Sequence, residues 1–71
     1  MYMNETLIAE NNLKTIALFE VELGNLKNEL EYQLYAGFGE REKIATYSTK
    51  EEALSKYLSD ADEFLKEKEN E

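Results

Sequence analysis

The chain has 71 residues, with sixteen acidic side chains against eight basic ones and a net charge of −8. It contains no Cys and no His, which excludes disulfides, thiolate chemistry and the commonest metal ligands. A domain this small buries only about 60% of the surface of its unfolded chain, so association with itself or a partner is the remaining means of support. We expect one domain, residues 1–71, with no catalytic residues, no cofactor and no metal site.

The composition also limits the partners. A hydrophobic content of 42% is too high for a disordered acidic tail. No apolar run approaches the roughly 18 residues of a membrane span, and Met1–Glu5 lacks the features of a signal peptide, so we expect a cytoplasmic protein. The negative charge repels nucleic acids and anionic membranes and attracts basic protein surfaces. Residues 1–47 and 48–71 each carry eight acids and four bases, so only folding can create an acidic surface.

The first half of the chain predicts strands joined by turns. Residues 5–14, "ETLIAENNLK", predict a strand with a turn at its Asn-Asn pair. Residues 13–30, "LKTIALFEVELGNLKNEL", are compatible with two structures. As a helix, their apolar residues recur three or four positions apart, although Gly24 interrupts the pattern. As a strand, apolar residues alternate with polar ones before a hairpin loop at "GNLKN"; we favour the strand.

The middle of the chain predicts a second hairpin. Leu30, Tyr32 and Leu34 alternate with other side chains at a period of two, and residues 44–47, "IATY", form a second β-favouring run. We expect the turn around residues 38–42. A phosphate-binding loop needs a longer glycine pattern than the "GFGER" segment has, so a hairpin turn is the better interpretation.

The last third predicts an amphipathic helix. Ser48 with Glu51 forms a capping box, and Thr49 with Glu52 is the alternative. The "DADE" cluster at 60–63 then lies within the helix, where its carboxylates point in different directions and form a solvated face rather than a cation site. We expect a buried helix face made of Leu54, Tyr57, Leu58, Ala61, Phe64 and Leu65.

Together these elements predict an α+β fold. It is a small antiparallel β-meander of three to four strands with the C-terminal amphipathic helix packed on the sheet. The alternative is an all-α fold, in which a long N-terminal helix forms a hairpin with the C-terminal one.

A hairpin between the second and third strands would bring acids together. If Leu23 faces Leu30, then Glu22 falls opposite Glu31, and like charges in such pairs are destabilising. An acidic face retained at that cost would suit a partner with a basic surface. The binding face predicted from this register consists of Glu20, Glu22, Glu31, Gln33 and Tyr35.

The leading functional hypothesis is a non-enzymatic acidic binding protein that blocks a basic site on a larger partner. In composition, though in no motif, the chain resembles phage-encoded inhibitors of host enzymes and defence systems, some of which mimic nucleic acid. That resemblance implies an inhibitor encoded by a phage or mobile element. One alternative is a homo-oligomeric assembly module, most simply a dimer, and a second is a small-ligand binder with a pocket between subunits.

Overall fold

A computed structural model of the chain describes the backbone of residues 2–24 and 29–70, with side chains from Asn4 onward in those ranges. The elements in chain order are β1 Tyr2–Glu10, β2 Ile16–Leu23, β3 Leu30–Ala36, β4 Glu42–Tyr47 and α1 Lys50–Glu69. The strands form one antiparallel sheet in the order β1-β2-β3-β4. The helix packs on one face of it, over β2, β3 and β4. The predicted α+β fold is therefore confirmed, with four strands, and the all-α alternative is wrong.

The turn between β1 and β2 is held by one asparagine side chain. Asn11 Oδ1 accepts hydrogen bonds from the backbone N–H groups of Thr15 (2.9 Å) and Ile16 (3.2 Å). Its Nδ2 donates to Thr15 Oγ1 at 2.8 Å. These bonds support the left-handed backbone of Lys14, whose φ is 58°, a conformation that costs an ordinary residue about 1 kcal/mol or more. The turn predicted at this asparagine is confirmed.

The turn between β3 and β4 depends on two glycines. A Cβ at Gly37 would collide with the carbonyl oxygen of Glu40, and Gly39 has a φ of 135°, which side chains disfavour. Gly37 also donates its backbone N–H to the Thr15 carbonyl at 3.0 Å, which ties this turn to the β1–β2 turn. This predicted hairpin is confirmed. The predicted "GNLKN" loop falls mostly outside the described residues, because 25–28 are not among them.

The predicted register between β2 and β3 is wrong by one residue. Glu22, not Leu23, lies opposite Leu30, and Leu18 lies opposite Leu34. Directly opposed residues share a face of the sheet, so a shift of one position transfers the side chains of one strand to the other face. The observed register places Leu18 and Leu34 together under the helix, where both are fully buried.

The helix begins at the second of the two predicted caps. Thr49 is the N-cap, and its side-chain oxygen accepts a hydrogen bond from the backbone N–H of Glu52 at 3.1 Å. Two acids in the first turn, Glu51 and Glu52, and two lysines in the last, Lys66 and Lys68, suit the helix dipole.

The buried helix face is rotated from the predicted one. Ala53, Ala61 and Leu65 are buried against the sheet, and Tyr57 and Phe64 pack against the same core. In contrast, Leu54 is 46% exposed and Leu58 is 51% exposed. The prediction that Leu58 is buried is therefore wrong. Both leucines lie on the flank of the helix nearer β1, the strand that the helix does not cover in the described part of the chain.

Leu34→Ala and Leu58→Ala should affect stability very differently. Leu34 is fully buried, and its truncation should lower the free energy of unfolding by about 2–5 kcal/mol. Truncation of the half-exposed Leu58 should change it by less than about 0.5 kcal/mol. Urea denaturation followed by circular dichroism measures both. A loss of about 2 kcal/mol or more for Leu58→Ala would mean that something covers this side chain.

Candidate functional site

The observed register divides the five predicted site residues between the two faces of the sheet. We call the face under the helix the helix side and the other the open face. Glu20 and Glu22 lie on the helix side, because they are opposite Tyr32 and Leu30 of β3. Glu31, Gln33 and Tyr35 lie on the open face. The face predicted from the sequence, with all five residues together, therefore does not form.

The two helix-side acids are each held by one hydrogen bond. Tyr32, which is only 5% exposed, donates its hydroxyl to Glu20 Oε2 at 3.0 Å. Asn4 Nδ2 donates to Glu22 Oε2 at 3.2 Å. Burial, and then the neighbouring Glu20 carboxylate, raise the pKa of Tyr32 above its ordinary value. The contacts orient both carboxylates without neutralising them, since neither donor carries a charge.

The three open-face residues form a hydrogen-bonded row along β3. Gln33 is fully buried although no helix covers it; its Nε2 donates to Glu31 Oε2 at 2.7 Å, and its Oε1 accepts from the Tyr35 hydroxyl at 3.1 Å. The Tyr35 ring meets the Phe19 ring edge to face, with centroids 5.5 Å apart. This geometry is favourable for aromatic pairs, and it gives the open face a fixed apolar centre.

Although Glu20, Glu22 and Glu31 are on different faces, the meander brings them to the same end of the molecule. One row of directly opposed residues crosses all four strands of the sheet: Thr6, Glu20, Tyr32 and Tyr47. Beyond it lie the ends of β2 and β4 and the starts of β1, β3 and α1. We call this region the acidic end. Its described carboxylates belong to Glu5, Glu20, Glu22, Glu29, Glu31, Glu51 and Glu52.

The opposite end has acids and bases in more nearly equal numbers. We call it the turn end, because it contains the β1–β2 and β3–β4 turns and the last turns of α1. At the acidic end, in contrast, Lys50 is the one base among the described residues. Folding therefore polarises a charge that is evenly distributed along the sequence. The described charged residues of the turn end are Glu10, Glu40, Glu42, Asp62, Glu63, Glu67 and Glu69 with Lys14, Arg41, Lys43, Lys66 and Lys68.

Apolar surface accompanies the charge at the acidic end. Leu30 is 44% exposed there and borders a cleft of about 360 Å³ with Tyr47 and Glu52. Other clefts around the described chain have similar volumes, about 310 to 330 Å³. Volume alone therefore does not distinguish a small-molecule site. The remaining residues that line the cleft at the acidic end are Leu23, Glu29, Glu31, Thr46 and Ser48.

A buried tyrosine fixes the helix over this end. Tyr47, at the end of β4, is 5% exposed and donates its hydroxyl to Asp60 Oδ2 at 2.5 Å. Burial is the largest cause that raises the pKa of Tyr47, and the Asp60 carboxylate adds to it. Because Tyr47 lies opposite Tyr32 in the sheet, the two hydroxyls anchor one carboxylate on α1 and one on β2. The sequence shows these tyrosines but gives no signal for their partners, which are 12 and 13 residues away.

Comparisons with known proteins found no relative of this chain. No protein family, curated protein or solved structure matches the chain. Within residues 2–24 and 29–70, no helix has the length and apolar content needed to cross a membrane. The same residues contain no group of three or more carboxylates arranged to hold a metal ion.

The raised tyrosine pKa values predict a loss of stability at alkaline pH. A folded-state pKa above the unfolded value of about 10 contributes stability that is present below pH 10 and lost as the pH rises towards the folded-state pKa. Tyr47→Phe removes this contribution together with the bond to Asp60, at a cost of about 1 kcal/mol near neutral pH. Denaturation curves at a series of pH values test this. Parent and variant curves that fall equally steeply above pH 10 would contradict the assignment.

Proposed function

We propose that the chain is a non-enzymatic acidic binding protein of the cytoplasm that blocks a basic site on a larger protein through its acidic end. The observation that carries the proposal is the gathering of seven described carboxylates with one lysine at that end. A basic site that normally holds nucleic acid is the kind of target that this surface suits, because both ligands would present dense negative charge. Encoded by a phage or mobile element, such a protein would inhibit a host or defence protein.

The geometry of the acidic end supports a surface that is ready to bind. Glu20 and Glu22 are two positions apart on β2, so their carboxylates are about 7 Å apart along the strand. The bonds from Tyr32 and Asn4 restrict both side chains before a partner arrives, which lowers the entropy lost on binding. Neither carboxylate has an ion pair within the described residues, so both can accept a partner's Lys or Arg.

Charge alone would give a complex that forms fast but binds weakly. The neighbouring apolar groups would supply the affinity. Long-range attraction acts over roughly 8 Å at physiological salt and mainly raises the association rate. Affinity in protein interfaces comes mostly from apolar and aromatic groups that lose water. At the acidic end, the half-exposed Leu30 and the cleft beside Tyr47 offer such groups within the ring of carboxylates.

The test is a comparison of two triple variants that remove the same charge from different places. Glu20→Gln/Glu22→Gln/Glu31→Gln removes three charges from the acidic end. Gln keeps an oxygen that can accept the bonds from Tyr32, Asn4 and Gln33, so folding should be preserved. After the partner is captured from the native host, titration calorimetry at low and high salt should show at least about tenfold weaker binding, on the order of 1.4 kcal/mol.

The matched control removes three charges from the turn end. Glu40, Glu67 and Glu69 are exposed there, and their replacement by Gln changes the net charge equally. This control should bind within about twofold of the parent, because a charge more than a Debye length from the contact is screened. Equal losses of affinity in the two triple variants would mean that net charge, and not the acidic end, determines binding. Unchanged binding of the acidic-end variant at both salt concentrations would overturn the proposal.

A further inference from the structure

The first half of strand β2 is apolar on both faces of the sheet. Ile16 and Leu18 point to the helix side and are buried in the core. Ala17, Phe19 and Val21 alternate with them and lie on the open face. An antiparallel strand with one face in water normally alternates apolar with polar residues, whereas a near-continuous apolar run is typical of a strand covered on both faces. The helix covers one face of β2, so the other is suited to a cover that residues 2–24 and 29–70 of the same chain do not provide.

Three large side chains give the open face its outer surface. Leu7 of β1 is directly opposite Phe19 and is 47% exposed. Phe19 and Tyr35 are half-buried and in contact with each other. Val21 and Gln33, on the same face, are fully buried. The result is a firm apolar centre, and such a centre is more common in an interface than on the surface of a monomer.

We propose that a second copy of this chain covers the open face, so that two sheets pack face to face and the helices lie on the outside of the dimer. This goes beyond the proposed function and is compatible with it, because Glu20 and Glu22 lie on the helix side and outside the paired faces.

Charge selects the orientation of the two copies. A two-fold axis parallel to the strands would place the two acidic ends together. An axis across the strands instead places each acidic end over the turn end of the other copy, which carries five bases. Like charges brought together at an interface cost several kcal/mol, so the second arrangement is favoured. It also brings Glu31 of each copy towards Lys43 of the other, because Lys43 is on the open face opposite Tyr35.

The open face is large enough for a dimer of modest affinity. Four strands about 4.8 Å apart and about seven residues long cover roughly 440 Å² in projection, and side chains make the accessible area larger. A standard interface buries about 800 Å² per partner, roughly a sixth of the 5133 Å² that one chain exposes. Self-association of moderate strength is therefore expected.

Two matched leucine variants test the assignment. Leu7 on the open face and Leu58 on the helix flank are similarly exposed, 47% and 51%, and replacement by Glu changes the net charge equally. Sedimentation velocity at about 5 to about 500 µM covers the dissociation constants expected for an interface of this area. The parent and Leu58→Glu should both show a monomer–dimer equilibrium. Leu7→Glu should weaken association at least about tenfold, because its carboxylate would be buried without a partner.

A second open-face variant is a control for the case in which Leu7→Glu does not fold. Thr46 is exposed on β4 opposite Gln33, and Thr46→Glu should weaken association in the same way while circular dichroism stays unchanged. A parent that is monomeric at every concentration would overturn the proposal. So would a dimer that Leu58→Glu dissociates and the two open-face variants leave intact. A different protein that binds the open face in place of a second copy would overturn it as well.

A charge exchange tests the orientation. Glu31→Lys alone and Lys43→Glu alone should each weaken the dimer by about fivefold, since two symmetric surface pairs are lost. The double variant restores both pairs with reversed signs and should recover the parent's association. A double variant that associates no better than the single ones would overturn the arrangement with each acidic end over the other's turn end.

Discussion

The register between β2 and β3 is the constraint on which the rest of the molecule depends. Leu18 lies opposite Leu34 and both are fully buried under the helix, so this one pair joins the sheet to the core. The same register brings the Tyr32 hydroxyl to Glu20 and sends Glu31 to the other face. A slip of one residue would exchange the faces of a strand and remove each of these contacts at once. The position of every candidate binding residue follows from this pairing.

Charge is evenly distributed along the chain, but the fold gathers most of the net negative charge at one end of the molecule. A meander places alternate turns at alternate ends, so acids that flank the β2–β3 connection meet those at the start of α1. Glu51 and Glu52 are stabilised there by the positive end of the helix dipole, and Glu20 and Glu22 are held by neutral donors. None of these four carboxylates is in an ion pair within the described residues. Solubility would be served as well by scattered carboxylates, so their gathering favours recognition.

The proposed binding and the proposed assembly would use different parts of the same small protein. The helix covers one face of the sheet, and its flank with Leu54 and Leu58 stops short of β1. The other face has an apolar centre at Phe19 and Tyr35. With 71 residues and no cysteine, the chain has little stability to spare, and pairing of open faces would add apolar burial. It would leave the helix-side acids Glu20 and Glu22 free to meet a basic partner.

What the sequence determined by itself is local. The turn at Asn11, the glycines of the second turn, the helix that starts after Thr49 and the strands between them follow from caps, turn residues and periodicity, which depend on neighbours along the chain. Tertiary structure alone decided which face of each strand meets the helix and which side of the helix meets the sheet. The first half of β2 is apolar on both faces, so its pattern fits either of two registers. Likewise Leu54 and Leu58 fit the helical period of the buried face, yet they lie on the flank of the helix that stops short of β1 and remain about half exposed. Such choices depend on packing between segments far apart in sequence, and for that reason the gathering of carboxylates at one end emerged only on folding.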